Sequence, residues 1–307
     1  MKKGMVYMTL QQLKYAIAIA NNKSMNKAAQ ELFISQPSLS GTIRELENEI
    51  GIEIFIRSNR GIIITPEGEE FLGYARQVLD QYNLMEDRYF NEGAKKKFSV
   101  STQHYTFAVK AFVEMVKQVG MEEYEFAIHE TKTYDIIESV KNFKSEIGVL
   151  YLDDFNEKII TKLLNDNSLE FIQLFQCDTF VYLSSKHPLA DNKVISMEEL
   201  EEYPCLSFDQ GDNSFFLAEE VFSTYGYKRV IKASDRATFL NLMIGINAYT
   251  LCSGIICEEL NGEGYKAVPL KENDIMRIGY IKRKGATTTK LANLYLEELQ
   301  KCKVNLL

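Results

Sequence analysis

The sequence predicts a multidomain α/β chain: a small N-terminal helical unit closed by a two-stranded wing, one long connecting helix, and a C-terminal α/β region of two lobes. Three observations predict it. Residues 24–51, SMNKAAQELFISQPSLSGTIRELENEIG, read as two short helices separated by a stub too small to be a loop. From Glu67 to Tyr89 apolar residues recur at spacings of three and four, the period of a helix face. From Phe98 onward short apolar strands alternate with helical stretches, the order that builds a mostly parallel sheet. With 307 residues, 46% of them hydrophobic, the chain has material for more than one core.

The first helix is written in LQQLKYAIAIANN, where Leu10, Leu13, Ile17 and Ala20 form one apolar stripe before Asn21 and Asn22 break it. Ser24 is a good N-cap for a second helix, whose Met25, Ala28, Ala29 and Leu32 face inward, with alanines that permit close helix approach. The chain turns at Phe33 and Ile34. Ser35 caps a third helix that carries Pro37 in its first turn, where a missing N–H costs little, and Leu39, Ile43, Leu46 and Ile50 as its core stripe. Gln36, Pro37, Ser38, Ser40, Thr42 and Arg44 lie off that stripe, toward the helix N-terminus. Short polar side chains in that position suit the base edges and phosphates of a major groove.

IEIFIRSNRGIIITPEGEEF then reads as a strand near Ile52–Ile56, a turn at Ser58–Gly61, a returning strand at Ile62–Ile64 and a stop at Pro66. Arg57 and Arg60 at the tip of this wing are natural phosphate or minor-groove contacts, and Lys27 and Arg44 add to the same small unit. The charge distribution agrees. The whole chain carries a formal net charge of -8, yet residues 1–66 hold eight Lys or Arg against five Asp or Glu. The acidity belongs to the C-terminal two thirds, and such asymmetry points to a nucleic-acid-binding end.

With these residues in view, residues 8–67 resemble the winged helix-turn-helix of the LysR-type transcriptional regulators. The resemblance rests on Ala28-Ala29, Leu32, the run Ser35 to Ser40, Leu46-Glu47, Gly51, Phe55 with Arg57, and the closing Thr65-Pro66-Glu67-Gly68. Ile50, Ile52 and Ile54 depart from it, standing where the family more often has leucine. It implies a DNA-binding set of Ser24, Lys27, Gln36, Pro37, Ser38, Ser40, Thr42, Arg44, Arg57 and Arg60. Residues 1–7 precede the family's usual start, so Met8 is an alternative initiator.

In the long helix, Phe71, Ala75, Val78, Tyr82, Met85 and Tyr89 recur as an a/d seam. The resemblance makes residues 67–90 a dimerising linker, as reading a two-fold operator requires. NEGAKKK, residues 91–97, reads as a hinge, which leaves residues 1–66 as the DNA-binding domain and 98–307 as the effector domain.

Beyond the hinge, FSVST, YEFAIHE and IGVLYL alternate with helices running to about Gln118 and Phe143. A second set runs through TFVYLSSKHPLA, CLSF, a helix around Ser214–Tyr225, RVIKAS, a helix from Asp235 to Ile246, and YTLCSGI. MRIGYIKRK and a closing helix from about Thr287 to Lys301 return to the first set, so lobe I spans about 98–176 and 271–307 and lobe II about 177–270. VYLSSKHPLA is similar to the start of the second lobe in LysR-type effector domains, which share the fold of type 2 periplasmic binding proteins. The resemblance places an effector between the lobes on Ser101, Thr102, Thr131, Ser207, Thr250 and Ser253. Hydroxyls at strand ends and helix starts favour an anionic or zwitterionic metabolite.

The expected partners are duplex DNA of two-fold character, a small effector and further copies of the chain, as a homodimer and then a homotetramer; the family also leaves room for a contact with RNA polymerase. No cofactor, metal or membrane is expected. Five cysteines and three histidines show no zinc spacing, and neither a signal peptide nor an apolar run of membrane-spanning length is present, so the cytoplasm is the expected location. Ser253-Gly254 lacks a nucleophile-elbow pattern, which speaks against an enzyme. The alternative of the same fold is a thiol-based redox sensor using Cys252 with Cys257 or Cys205.

Overall fold

Thr9 and Gln12 start the first helix with a reciprocal cap: the Gln12 N–H donates to Thr9 Oγ1 and the Thr9 N–H to Gln12 Oε1, at 3.2 and 2.8 Å. These and the following contacts come from a computed structural model that describes residues 8–58, 61–89, 95–120, 123–211, 215–219 and 225–302, the side chains of 57, 58, 80, 84, 87–89 and 258 excepted. The chain forms two units, Met1–Ala94 and Lys95–Leu307.

In the first unit, α1 (Leu10–Asn22), α2 (Met25–Glu31) and α3 (Gln36–Ile50) pack on one another, with Ser24 and Ser35 accepting from the Lys27 and Ser38 N–H groups as N-caps. Between α2 and α3 the Ile34 N–H reaches Ala29 O and the Phe33 N–H reaches Gln30 O, a tight C-terminal cap that puts Phe33 at φ 54. Leu39, Ile43 and Leu46 are fully buried with Ala16, Ile19, Ala28, Ile54 and Leu72. The wing pairs β1 (Phe55–Ser58) with β2 (Gly61–Ile64) in antiparallel register.

Two contacts explain motifs that the sequence carries between α3 and the long helix α4 (Pro66–Tyr89). Glu47 Oε1 accepts the N–H groups of Ile54 and Phe55 at 2.8 and 3.0 Å, so α3 holds the root of the wing. Thr65 Oγ1 accepts the Gly68 N–H at 2.8 Å and donates to Glu53 O, capping α4. A Cβ on Gly68 would stand 2.4 Å from Ile54 O, so only glycine lets α4 start this close to the wing.

The second unit contains two five-stranded sheets. The first has order β4-β3-β5-β12-β6 and the second β11-β7-β10-β8-β9. The chain runs β3 (Lys96–Thr102), α5 (Thr106–Val119), β4 (Tyr124–Glu130), α6 (Thr133–Lys141), β5 (Ile147–Leu152), α7 (Glu157–Asp166) and β6 (Leu169–Cys177) before crossing to the second sheet. There follow β7 (Phe180–Ser184), α8 (Met197–Leu200), β8 (Cys205–Phe208), β9 (Val230–Ala233), α9 (Arg236–Ile246), β10 (Tyr249–Cys252), α10 (Glu258–Asn261) and β11 (Tyr265–Pro269). Then β12 (Met276–Arg283) and α11 (Lys290–Lys301) return to the first sheet. In each sheet four strands run one way and the strand second from one edge, β12 in the first and β7 in the second, runs against them.

Several expectations need correction. Lys96 and Lys97 belong to β3, not to a hinge. The stretch 157–177, for which the sequence pattern made no assignment, supplies a helix and an edge strand to the first sheet, and β11 does the same for an edge of the second. Of the expected helix at 214–225 the described part is one 3₁₀ turn, Phe215–Leu217; residues 214 and 220–224 lie outside the described residues.

Candidate functional site

On α3 the exposed residues Pro37, Ser38 and Arg44 and the half-exposed Gln36 and Thr42 lie off the core stripe, and Lys27 of α2 is exposed as well. Thr42 Oγ1 donates to Ser38 O at 3.1 Å, which orients the hydroxyl along the helix. Two members of the expected set stand apart. Ser40 is buried within the unit, because α3 turns it toward the core beside Leu39, and the Ser24 hydroxyl serves as the cap of α2. Arg57 lies on β1 opposite Ile62, with its side chain outside the described residues, as is the whole of Arg60.

The seam expected on α4 is divided. Ala75 is buried and Phe71 half-buried against Leu10, Leu13 and Ile17 of α1, so the fold of a single chain uses them. Tyr82 lies under the Lys14 ammonium at 5.3 Å and donates to Glu86. Val78 and Met85, 46% and 47% exposed, share the open face with Tyr74, which is 61% exposed and was missed by the heptad reading. Tyr89 is placed only as a backbone position at the end of α4.

In the second unit the expected effector residues separate into two groups. Ser101 and Thr102, fully buried at the end of β3, are satisfied internally, Ser101 by Ser145 at 2.8 Å and Thr102 by donating to Gln103 O. Thr131 follows β4 and donates its N–H to Thr102 O, and Ser207 is buried within β8. None of these four lines the cavity between the lobes. Thr250 and Ser253 do, with Thr106, Arg236 and Asn261 as further polar groups and an apolar wall that includes Phe107, Tyr182 and Phe239.

Beside this cavity the lobes are tied together. Glu219, 4% exposed, accepts from the His104 N–H, from His104 Nδ1 and from Gln210 Nε2 at 3.1, 2.8 and 2.8 Å, while Gln210 Oε1 accepts the Thr133 N–H. The His104 ring stacks on Phe208 at 3.6 Å, and Phe208 on Phe239 at 3.9 Å. Arg236 donates to Thr106 Oγ1 and pairs with Glu130 across the gap. Sequence reasoning passed over Arg236. The available signal was a cation in the first turn of a helix, against the helix dipole, which Asp235 as N-cap offsets.

All five cysteines are free thiols, and all but Cys252 are buried. Burial pushes Cys205 up to about 12 and Cys302 up to about 11, and raises Cys257 as well. The thiolate is the reactive form, so these positions are poor redox sensors.

A winged three-helix unit followed by two α/β lobes around a cavity defines a DNA-binding regulator with a ligand-responsive domain. Residues 10–69 match the bacterial regulatory helix-turn-helix proteins of the lysR family, and residues 122–302 match the LysR substrate binding domain. The chain belongs to the LysR family of transcriptional regulators, whose members are regulators and not enzymes. It is 25% identical to the uncharacterized HTH-type transcriptional regulator YvbU of Bacillus subtilis, over 86% of this chain and 91% of that one. Its fold is similar to that of a full-length OxyR variant from Pseudomonas aeruginosa, with TM-score 0.63, 18% identity, and 97% and 96% of the two chains covered. It is also similar to full-length CbnR in complex with its target DNA, at TM-score 0.59 and 18% identity over 96% and 100%. Among the described residues no helix is long and apolar enough to cross a membrane.

Proposed function

We propose that the protein reads a two-fold operator through the N-terminal half of α3 and the wing, and that a small metabolite held between the lobes switches it. The observation that carries the DNA half is the face of α3 with exposed Ser38 and Arg44 and half-exposed Gln36 and Thr42, opposite the buried Leu39, Ile43 and Leu46. In this reading residues 1–66 bind DNA, 67–90 dimerise, 91–95 connect, and 96–307, with β3 included, respond to the effector. The metabolite is anionic or zwitterionic, and the protein works in the cytoplasm as a homodimer that pairs into a homotetramer, within reach of RNA polymerase.

Ser38→Ala and Thr42→Ala each blunt discrimination between operator and random duplex by roughly 1–3 kcal/mol if they remove a base contact. Arg57→Ala weakens all sequences alike and lowers the salt slope by about one unit. A mobility-shift series over several salt concentrations tests this, and binding unchanged in all three variants would remove the reading. The open stripe Tyr74–Val78–Met85 gives the dimer its contact surface. Val78→Asp puts a carboxylate into that contact and shifts the protein toward monomer by light scattering at micromolar concentration; a parent protein that is itself monomeric there refutes the dimer.

A further inference from the structure

We infer that the cavity between the start of α5 and α9 takes a small monocarboxylate with a branched or aromatic apolar body, and that its carboxylate replaces Glu130 on Arg236. The inference rests on the reading of the protein as effector-switched and assigns the chemistry of that effector.

The cavity measures about 70 Å³, room for a compact molecule. Phe107, Tyr182, Phe239, Leu240 and Ile255 supply apolar wall, so most of the ligand must be apolar. Arg236 is the one permanently charged side chain among the lining residues, and no Asp or Glu is among them. A guanidinium beside an apolar cavity calls for an anion, and a planar carboxylate fits its fork. The absence of a lining carboxylate leaves an ammonium group without a counter-charge, which disfavours amino acids.

Glu130, the present partner of Arg236, is well placed to be exchanged. The side chains of the pair are 24% and 26% exposed, so water reaches both and an incoming carboxylate can compete for the guanidinium. Thr106 and Asn261 hold the arginine side of the cavity: Asn261 Nδ2 donates to Thr106 Oγ1 at 3.1 Å and to Tyr182 Oη at 3.2 Å. On the lining stands a second, independent group. It is Ser253, 3% exposed. A hydroxyl on a cavity wall can donate to a ligand oxygen.

Calorimetry on the full-length protein with isovalerate and benzoate, against isovaleramide, benzamide and leucine, tests the assignment. The acids should bind about tenfold or more tightly than the amides and leucine, as expected for one charge-assisted contact. Arg236→Gln, with its fold checked by circular dichroism, removes that preference. Glu130→Gln tightens acid binding, because it removes the competing carboxylate; a structural role for the pair would instead weaken it. Ser253→Ala weakens the acids, and Ser101→Ala leaves them unchanged. Equal affinity for acid and amide, weaker binding in Glu130→Gln, or no acid binding at millimolar concentration overturns the inference. A compound of another class that alters operator binding and is indifferent to Arg236→Gln removes this site while the effector-switched reading stands; operator binding indifferent to every metabolite removes both.

Discussion

Leu46→Ala lowers the stability of the N-terminal unit by about 2–5 kcal/mol, the usual range for deleting a buried leucine side chain, and abolishes operator binding with it. Leu46 is fully buried on α3, in the cluster that joins α1, α2, the start of the wing and Leu72 of α4. A cavity there loosens α3 against its neighbours and detaches the reading face from the wing. Glu47, the next residue, holds the wing root through two backbone N–H groups, so a shift of α3 is felt at Ile54 and Phe55 directly. A small unit has little stability to spare. Calorimetric scanning should show an early transition from the N-terminal unit with that of Lys95–Leu307 unchanged. A shift below about 0.5 kcal/mol would mean that the site collapses around the alanine and that α3 is not held as described.

Glu219→Ala loosens the two lobes and lowers the stability of the second unit by about 2–4 kcal/mol, because it strands donors that are buried or partly buried. Three hydrogen bonds converge on this carboxylate, two of them from His104 in the other lobe. Removing it takes away the acceptor of the His104 N–H and ring and one acceptor of the Gln210 amide, and the stack of His104 on Phe208 loses its orienting bond. Glu219→Gln keeps an acceptor oxygen and should recover part of the loss. Denaturant unfolding measures the change, and faster hydrogen exchange at His104 and Tyr105 locates it. An alanine variant as stable as the parent would show that the lobes do not depend on this tie.

The N-terminal unit was legible in the sequence because its determinants are local. Caps, a helix period and a two-stranded wing are set within a few residues of one another, and Ser24, Ser35, Gly51 and Thr65 occupy the helix-end and turn positions their chemistry suits. The alternation of strands and helices beyond Phe98 was equally readable, since it follows from which backbone segments are apolar. What that alternation left silent was the edge strands β6 and β11, whose half-buried residues blur the period of two.

The functional positions in the lobes were decided by the tertiary structure. Ser101, Thr102, Thr250 and Ser253 look alike as hydroxyls at strand ends, yet the first two are satisfied inside the first lobe and the last two reach the cavity. That cavity joins Thr106 and Phe107 to Arg236, Asn261 and Ser253, and Glu219 meets His104 across 115 positions. Even on α4 the heptad treated Ala75 and Val78 as equals, until the packing of α1 buried one and left the other open. Local propensity and periodicity act over a turn or two of chain. Which face is covered, and which polar group finds a partner, depends on segments that meet only after folding.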